Sequence, residues 1–262
     1  VCLATLGPGA TNLITGVANS NMDHAPIVAI IGQASTHRLH KESHQNMDAI
    51  SMYKPVCKWA TSIRDADVIP EVIAKAFKIA ISSKPGATVI ELPEDIAKLP
   101  VKLKPLVPSI EAIPEERADP KQVERALDLL ANSQSTVLLA GAGCVRERCD
   151  DSLKEFLDKT GIYGANTFMG KGAISARNPQ SLYCVGLGMK DIAIQAFDQA
   201  DLVICAGYDL VEWPADHWNE GHRKKIIHID TLPAEVDKDY LPDVELIGNI
   251  KGALQLLNSK LT

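Results

Sequence analysis

Short apolar runs alternate along the chain with segments whose apolar positions recur every three to four residues. Residues 1–6 read as a buried strand, Gly7-Pro8-Gly9 as the tight turn after it, and Thr11 or Asn12 as the cap of a helix running to about residue 21. A second apolar strand covers 26–31 and closes at Gly32, and a polar, His-rich loop follows from 33 to about 48. Over 68–82 the side chains of Val72, Ile73, Ala76, Phe77 and Ala80 share one helical face, which predicts a helix stopped by Pro85-Gly86. Residues 87–92 predict a third strand. Strands separated by helices need crossover connections, so an α/β unit with a parallel sheet is expected.

Prolines then recur at 93, 100, 105, 108, 114 and 120 with almost no periodic pattern, the composition of a stiff, extended linker. Beyond it the alternation resumes: helix 121–131, strand 136–140, turn 141–143, helix 151–159, and a short strand near 162–165. Helix 191–199, strands 202–206 and 225–229, and a closing helix over 249–259 complete a second unit with the rhythm of a doubly wound, Rossmann-like sheet. The expected division is 1–98, a linker over 99–118, and 119–262.

Composition narrows the function classes. Of the 262 residues 46% are hydrophobic and 23% charged, as in ordinary globular chains, so disorder is excluded. A net charge of −6 argues against nucleic acid or a membrane surface as partner, because phosphate-bearing partners need a basic face. Arg223-Lys224-Lys225 reads as a solvated strand edge. Six scattered cysteines form no CxxC pair, and Cys144 and Cys149 have no matching Cys/His pair nearby, which points to reduced thiols in a cytoplasmic protein. No apolar run approaches the length of about 18 residues that a spanning helix needs. The chain opens on Val1, inside a strand and without Met, which reads as an internal start.

Glycine turns are the main candidate chemistry. Gly7-Pro8-Gly9-Ala10-Thr11-Asn12 follows a strand and opens a helix, a device that lets a ligand approach backbone closely. Gly141-Ala142-Gly143 does the same, but Arg146 stands where a dinucleotide fingerprint has its third glycine. Gly170-Lys171-Gly172 and Gly186-Leu187-Gly188-Met189 each follow a strand end, where open α/β sheets collect ligands. His37, His40 and His44 would share a helical face, but their stretch is polar and reads as solvated loop. His228, inside an apolar strand, reads as a packed core histidine. Glu91, Glu94 and Asp95 end a strand at a turn, where capping a helix explains them as well as catalysis does.

The order of these pieces resembles a known family. LATLGPGATNLITGVANSNMDHAPIVAIIGQ, HQNMDAISMYKPVCKWA and PGATVIELPEDI resemble part of the pyrimidine-binding domain of acetolactate synthases, which depend on thiamine diphosphate. TVLLAGAG, TFMGKGAI, GLGM, ADLVICAGYD, IIHID and DVELIGNI resemble their middle domain. The resemblance implies a carboligase that condenses two pyruvates to 2-acetolactate with loss of CO2, its substrate being pyruvate or a similar 2-keto acid, working as a homodimer or homotetramer with thiamine diphosphate and Mg2+. It places Pro8, Gly9, Asn12 and Gln33 at the cofactor, Gln45 near the reacting carbon, and Met169 and Met189 as apolar wall. Sister thiamine-diphosphate decarboxylases, oxidases and carboligases remain open. So does a non-catalytic nucleotide-binding module built on Gly141, Gly143, Thr167, Phe168 and Asp230.

This sequence departs from the family pattern in four places, the first being a Met-His-Gly segment of the biosynthetic members that is Met189-Lys190-Asp191 here. Biosynthetic members carry an Arg-Phe-Asp-Asp-Arg-like segment that helps hold FAD. Here Tyr208-Asp209-Leu210-Val211-Glu212 stands there, closer to the flavin-free catabolic type, and FAD binding is in doubt. The family's catalytic glutamate lies well upstream of the Gly-Pro-Gly turn, where this chain has six residues, and no Gly-Asp-Gly of a diphosphate domain occurs. An internal fragment, inactive by itself, is therefore expected, with open apolar edges on the strands at 1–6 and 26–31.

Overall fold

The computed structural model describes residues 1–82, 84–106, 118–186 and 192–261. The chain divides into two compact units, Val1–Glu111 and Ala112–Thr262.

In the first unit, β1 (Cys2–Ala4) leads into α1 (Pro8–Met22), β2 (Ile27–Gln33), α2 (Ala49–Tyr53), β3 (Trp59–Ser62), α3 (Ile69–Ile81), β4 (Ala87–Pro93) and α4 (Glu94–Ala97). The strands lie in the order β1-β2-β4-β3 and all three ladders are parallel. Alternation along the strands feeds two cores. Ala29, Ile31, Ala87 and Val89 pack with Ala10, Val17 and Tyr53 on one face, while Val28 and Ile90 pack with Ile63, Ala76 and Ala80 on the other. Covering both faces is what makes these strands read as continuous apolar runs.

Several boundaries differ from expectation. Helix α1 begins at Pro8 with Gly7 as its cap, because proline suits the first helical position; the Thr11 hydroxyl instead donates to Pro8 O at 3.0 Å. Strand β2 runs through Gly32 to Gln33. On α3 the ring of Phe77 is 42% exposed, off the buried stripe of Ala76 and Ala80. The segment at 26–31 is not an open edge, since β2 lies between β1 and β4.

The second unit begins with α5 (Pro120–Asn132), β5 (Thr136–Ala140), α6 (Ala142–Arg146), α7 (Asp150–Thr160), β6 (Tyr163–Thr167) and β7 (Ser181–Val185). It continues with α8 (Ile194–Gln199), β8 (Leu202–Ala206), α9 (Asp216–Asn219), β9 (Lys225–Asp230), β10 (Val244–Ile247) and α10 (Ile250–Lys260). The strand order β10-β9-β8-β5-β6-β7 is that of a doubly wound sheet, and every ladder is parallel. Its first strand, β5, lies between β6 and β8. The chain reverses direction across the sheet there, so the switch-point crevice opens between the carboxyl ends of β5 and β8.

His228 is a core histidine, with Nδ1 2.8 Å from the Tyr240 hydroxyl and Nε2 3.1 Å from Leu232 O. The six cysteines are free thiols. Among the described residues no helix is long and apolar enough to cross a membrane, and no three His, Cys, Asp or Glu side chains converge as a metal site.

Candidate functional site

Two glycine turns, one in each unit, present the sequence-predicted residues. In the first unit Gly7 has φ +58°, and a Cβ there would meet the Gln45 Cβ and carbonyl oxygen at 2.8 Å, so only glycine lets the Gln45 backbone lie on the turn. Gln45 itself has φ +58°. At Gly9 a Cβ would come within 2.7 Å of Thr5 Cγ2. The structure thus brings Gln45, distant in sequence, to the turn that carries Pro8, Gly9 and Asn12.

Hydrogen bonds made by Gln33 and Tyr53 hold that arrangement. The Gln33 amide at the end of β2 donates from Nε2 to Met47 O at 2.8 Å and to Glu91 Oε2 at 2.9 Å, while its Oε1 accepts from Ala34 N at 2.8 Å. Gln33 is buried and engaged at both ends of its amide, so it tethers the loop that delivers Gln45. The Tyr53 hydroxyl donates to Ala10 O at 2.5 Å and ties α2 to the first turn of α1; burial pushes its phenol up to about 12. Asp48 caps α2 through Ser51 N at 3.0 Å. Neither the tether to Glu91 nor the Tyr53 tie is legible in the sequence, because both join residues more than forty positions apart.

The outer face of this turn is uncommitted. Pro8, Asn12 and Gln45 are exposed, and neither Asn12 nor Gln45 has a side-chain hydrogen-bond partner among the described residues. Helix α1, fifteen residues long, has no acidic residue in its first turn and no side-chain cap. What this face offers a ligand is exposed backbone at Pro8 and two carboxamides, each able both to donate and to accept.

The second turn is different. Gly141 N donates to Ala206 O at 2.9 Å, Gly143 N to Gly207 O at 2.8 Å, and Cys144 N to Gly141 O at 3.1 Å. Ala142 N lies 3.1 Å from both carboxylate oxygens of Glu212. That side chain is buried, accepts from the Thr167 hydroxyl, and takes Asp209 N at 3.3 Å. Burial raises its carboxyl above the ordinary value, against the pull of Thr167 and the Ala142 and Asp209 amides. Thr167 Oγ1 accepts in turn from Gly170 N at 2.9 Å.

Other predicted residues of this crevice are placed separately. Asp230 ends β9, buried, with Oδ1 on Thr231 N at 2.6 Å and Oδ2 without a partner. Phe168 is 38% exposed, Met169 half-buried, and Met189 lies outside the described residues. Glu212, the residue that organises the crevice, stood in the sequence only as part of a segment differing from a flavin-binding one.

Comparison with known proteins matches both units of the chain to one family. Residues 123–257 match the central domain of thiamine pyrophosphate enzymes, and residues 1–52 their N-terminal TPP binding domain. An acetolactate synthase of Arthrospira platensis is 34% identical over 97% of this chain and 45% of its own length. A catabolic acetolactate synthase of Raoultella terrigena is 33% identical over 100% of the chain and 46% of its length. A chloroplastic acetolactate synthase of Zea mays is 34% identical over 100% and 41%. The chain thus spans somewhat less than half the length of these relatives. With the central-domain match covering more than half of its residues, the chain belongs to the thiamine pyrophosphate enzymes.

Proposed function

We propose that the protein carrying this chain is a carboligase of the acetolactate synthase type, which joins two pyruvates into 2-acetolactate and releases CO2. The observation that carries the proposal is the free polar face of Asn12 and Gln45 at the Gly7-Pro8-Gly9 turn, in a chain similar throughout to acetolactate synthases. Bound thiamine diphosphate supplies the electron sink for breaking the bond between a keto carbon and its carboxylate. In this reading Pro8 and Gly9 bring backbone against its pyrimidine ring, and Asn12 hydrogen-bonds the ring edge. Gln45 orients the reacting keto group, and Gln33 acts on it indirectly by fixing the loop. Met169 and Met189 supply apolar wall that excludes water.

The same proposal assigns 1–98 to the pyrimidine-binding part, 99–118 to a connector and 119–262 to the middle domain. The diphosphate and Mg2+ are then held by residues beyond this chain, in a cytoplasmic homodimer or homotetramer. The test is the purified protein with thiamine diphosphate, Mg2+ and pyruvate. CO2 and 2-acetolactate should form together, and Gln45→Ala should lower kcat/KM about 10-fold, the worth of one hydrogen bond made in the transition state. Turnover confined to another 2-keto acid would shift the assignment to a sister enzyme, and no turnover of any 2-keto acid would overturn it.

A further inference from the structure

The crevice between β5 and β8 is where a doubly wound sheet takes the pyrophosphate of a dinucleotide. Here the protein's own atoms fill it. The amides of Gly141 and Gly143 are bonded to the carbonyls of Ala206 and Gly207, and the one between them, Ala142 N, holds both oxygens of Glu212. The approach of β8 is fixed by glycines: a Cβ on Gly143 would lie 2.6 Å from Gly207 Cα, and one on Gly207, with φ +57°, would lie 2.5 Å from Cys144 N. Backbone packed so closely leaves no room for a phosphate between turn and strand.

The segment carrying Glu212 is also anchored. Tyr208, Trp213 and Trp218 are each 3% exposed or less. The Tyr208 and Trp218 rings meet at 6.2 Å, and the Tyr208 hydroxyl donates to Trp213 O. Swinging Glu212 out would disturb this aromatic packing and leave Ala142 N and the Thr167 hydroxyl buried without their acceptor. An incoming pyrophosphate would also face a buried acidic group at contact distance, where screening is weak.

We propose that Glu212 is a built-in occupant of the pyrophosphate seat, so that the second unit takes neither FAD nor another dinucleotide. Its carboxylate serves instead as a clasp joining the 141–143 turn, Thr167 and the 208–213 loop. The clasp does not depend on the carboligase proposal, since the same contacts hold whatever the protein catalyses.

The test uses the whole protein, purified without added nucleotide. Acid extraction should release no stoichiometric flavin, and equilibrium dialysis against millimolar FAD, NAD+ or ADP should show no saturable binding. Hydrogen exchange should find the Ala142 amide slow in the wild type and at least about tenfold faster in Glu212→Ala, with the Gly141 and Gly143 amides changing less. Should Glu212→Ala fail to fold, Glu212→Asp, one methylene shorter, gives the same readout. Stoichiometric flavin, saturable dinucleotide binding, or an Ala142 amide indifferent to these substitutions would overturn the proposal.

Discussion

The two units use one device to opposite ends. Each ends its first strand in a Gly-x-Gly turn that opens a helix. At Gly7-Pro8-Gly9 the glycines admit another segment, Gln45, alongside the turn and leave exposed, unpartnered carboxamides above it. At Gly141-Ala142-Gly143 the glycines admit β8 itself, and a carboxylate from the loop after β8 takes the remaining amide. A glycine turn is therefore a licence for close approach and nothing more. What approaches, ligand or protein, is decided by residues far away in sequence.

The sharpest way to break this contrast is to add a methyl group at each close approach. Gly207→Ala should cost about 3 kcal/mol or more, combining a left-handed alanine with a Cβ 2.5 Å from backbone that cannot move aside. Gly161→Ala is its control: φ is +68° but nothing lies within 4 Å, so about 1 kcal/mol is expected. Urea unfolding compares the two. Equal losses would mean that the packing of β8 on the turn is looser than described. Gly7→Ala should instead leave the second unit intact and impair function, because its Cβ pushes Gln45 off the turn.

Next in size is the tether. Gln33→Leu fills similar volume but strips partners from Glu91, Met47 O and Ala34 N, and about 1–3 kcal/mol should be lost with the loop loosened. Asn12→Ala and Gln45→Ala, both at exposed unpartnered side chains, should change stability by less than about 0.5 kcal/mol while lowering thiamine diphosphate affinity or turnover. A stability loss for Asn12→Ala equal to that for Gln33→Leu would show that the face is structural rather than open.

How much of this was legible follows from the range of the interactions. Thr136–Ala140 and Leu202–Ala206 stand out in the sequence with the limits they have in the structure, because buried parallel strands are continuous apolar runs bounded by polar residues and turns. The edge strand Trp59–Ser62 leaves no such mark: it is four residues long, half-buried throughout, and lacks an alternating pattern. Short helices such as Ala142–Arg146 escaped because a single turn has no period to detect. The Gly-Pro-Gly turn was visible, and so was its resemblance to a cofactor site. The clasp was not, since Glu212 lies seventy residues from Ala142 and nothing local marks a glutamate that will be buried.

The smallest expected effect is the response of the two units to pH. In the second unit, burial raises Glu212 and Glu147 above the ordinary 4.5, even though Glu147 accepts from Ile250 N at 2.7 Å. Each is harder to ionise folded than unfolded. Their contribution to stability is complete below about 4.5 and is lost as pH rises through their elevated folded values. In the first unit Asp95 is held at about 2, chiefly by the Thr36 hydroxyl at 2.5 Å and then by the Thr36 amide at 2.9 Å. Its contribution is complete above 3.8 and is lost as pH falls towards 2. Hydrogen exchange resolved by unit should therefore part above about 4.5, where the second unit loses protection once intrinsic exchange is corrected for. Below about 4 both units gain it as pH rises, the first through Asp95 and the second through Asp201, which is held below 3.8 against its burial by hydrogen bonds from Ser133, Gln134 and Ser135. Glu212→Gln should lessen the second-unit loss, leaving the share of Glu147, and should not alter the first unit. A second-unit slope unchanged in that variant would mean that the clasp carboxyl is better solvated than its burial implies.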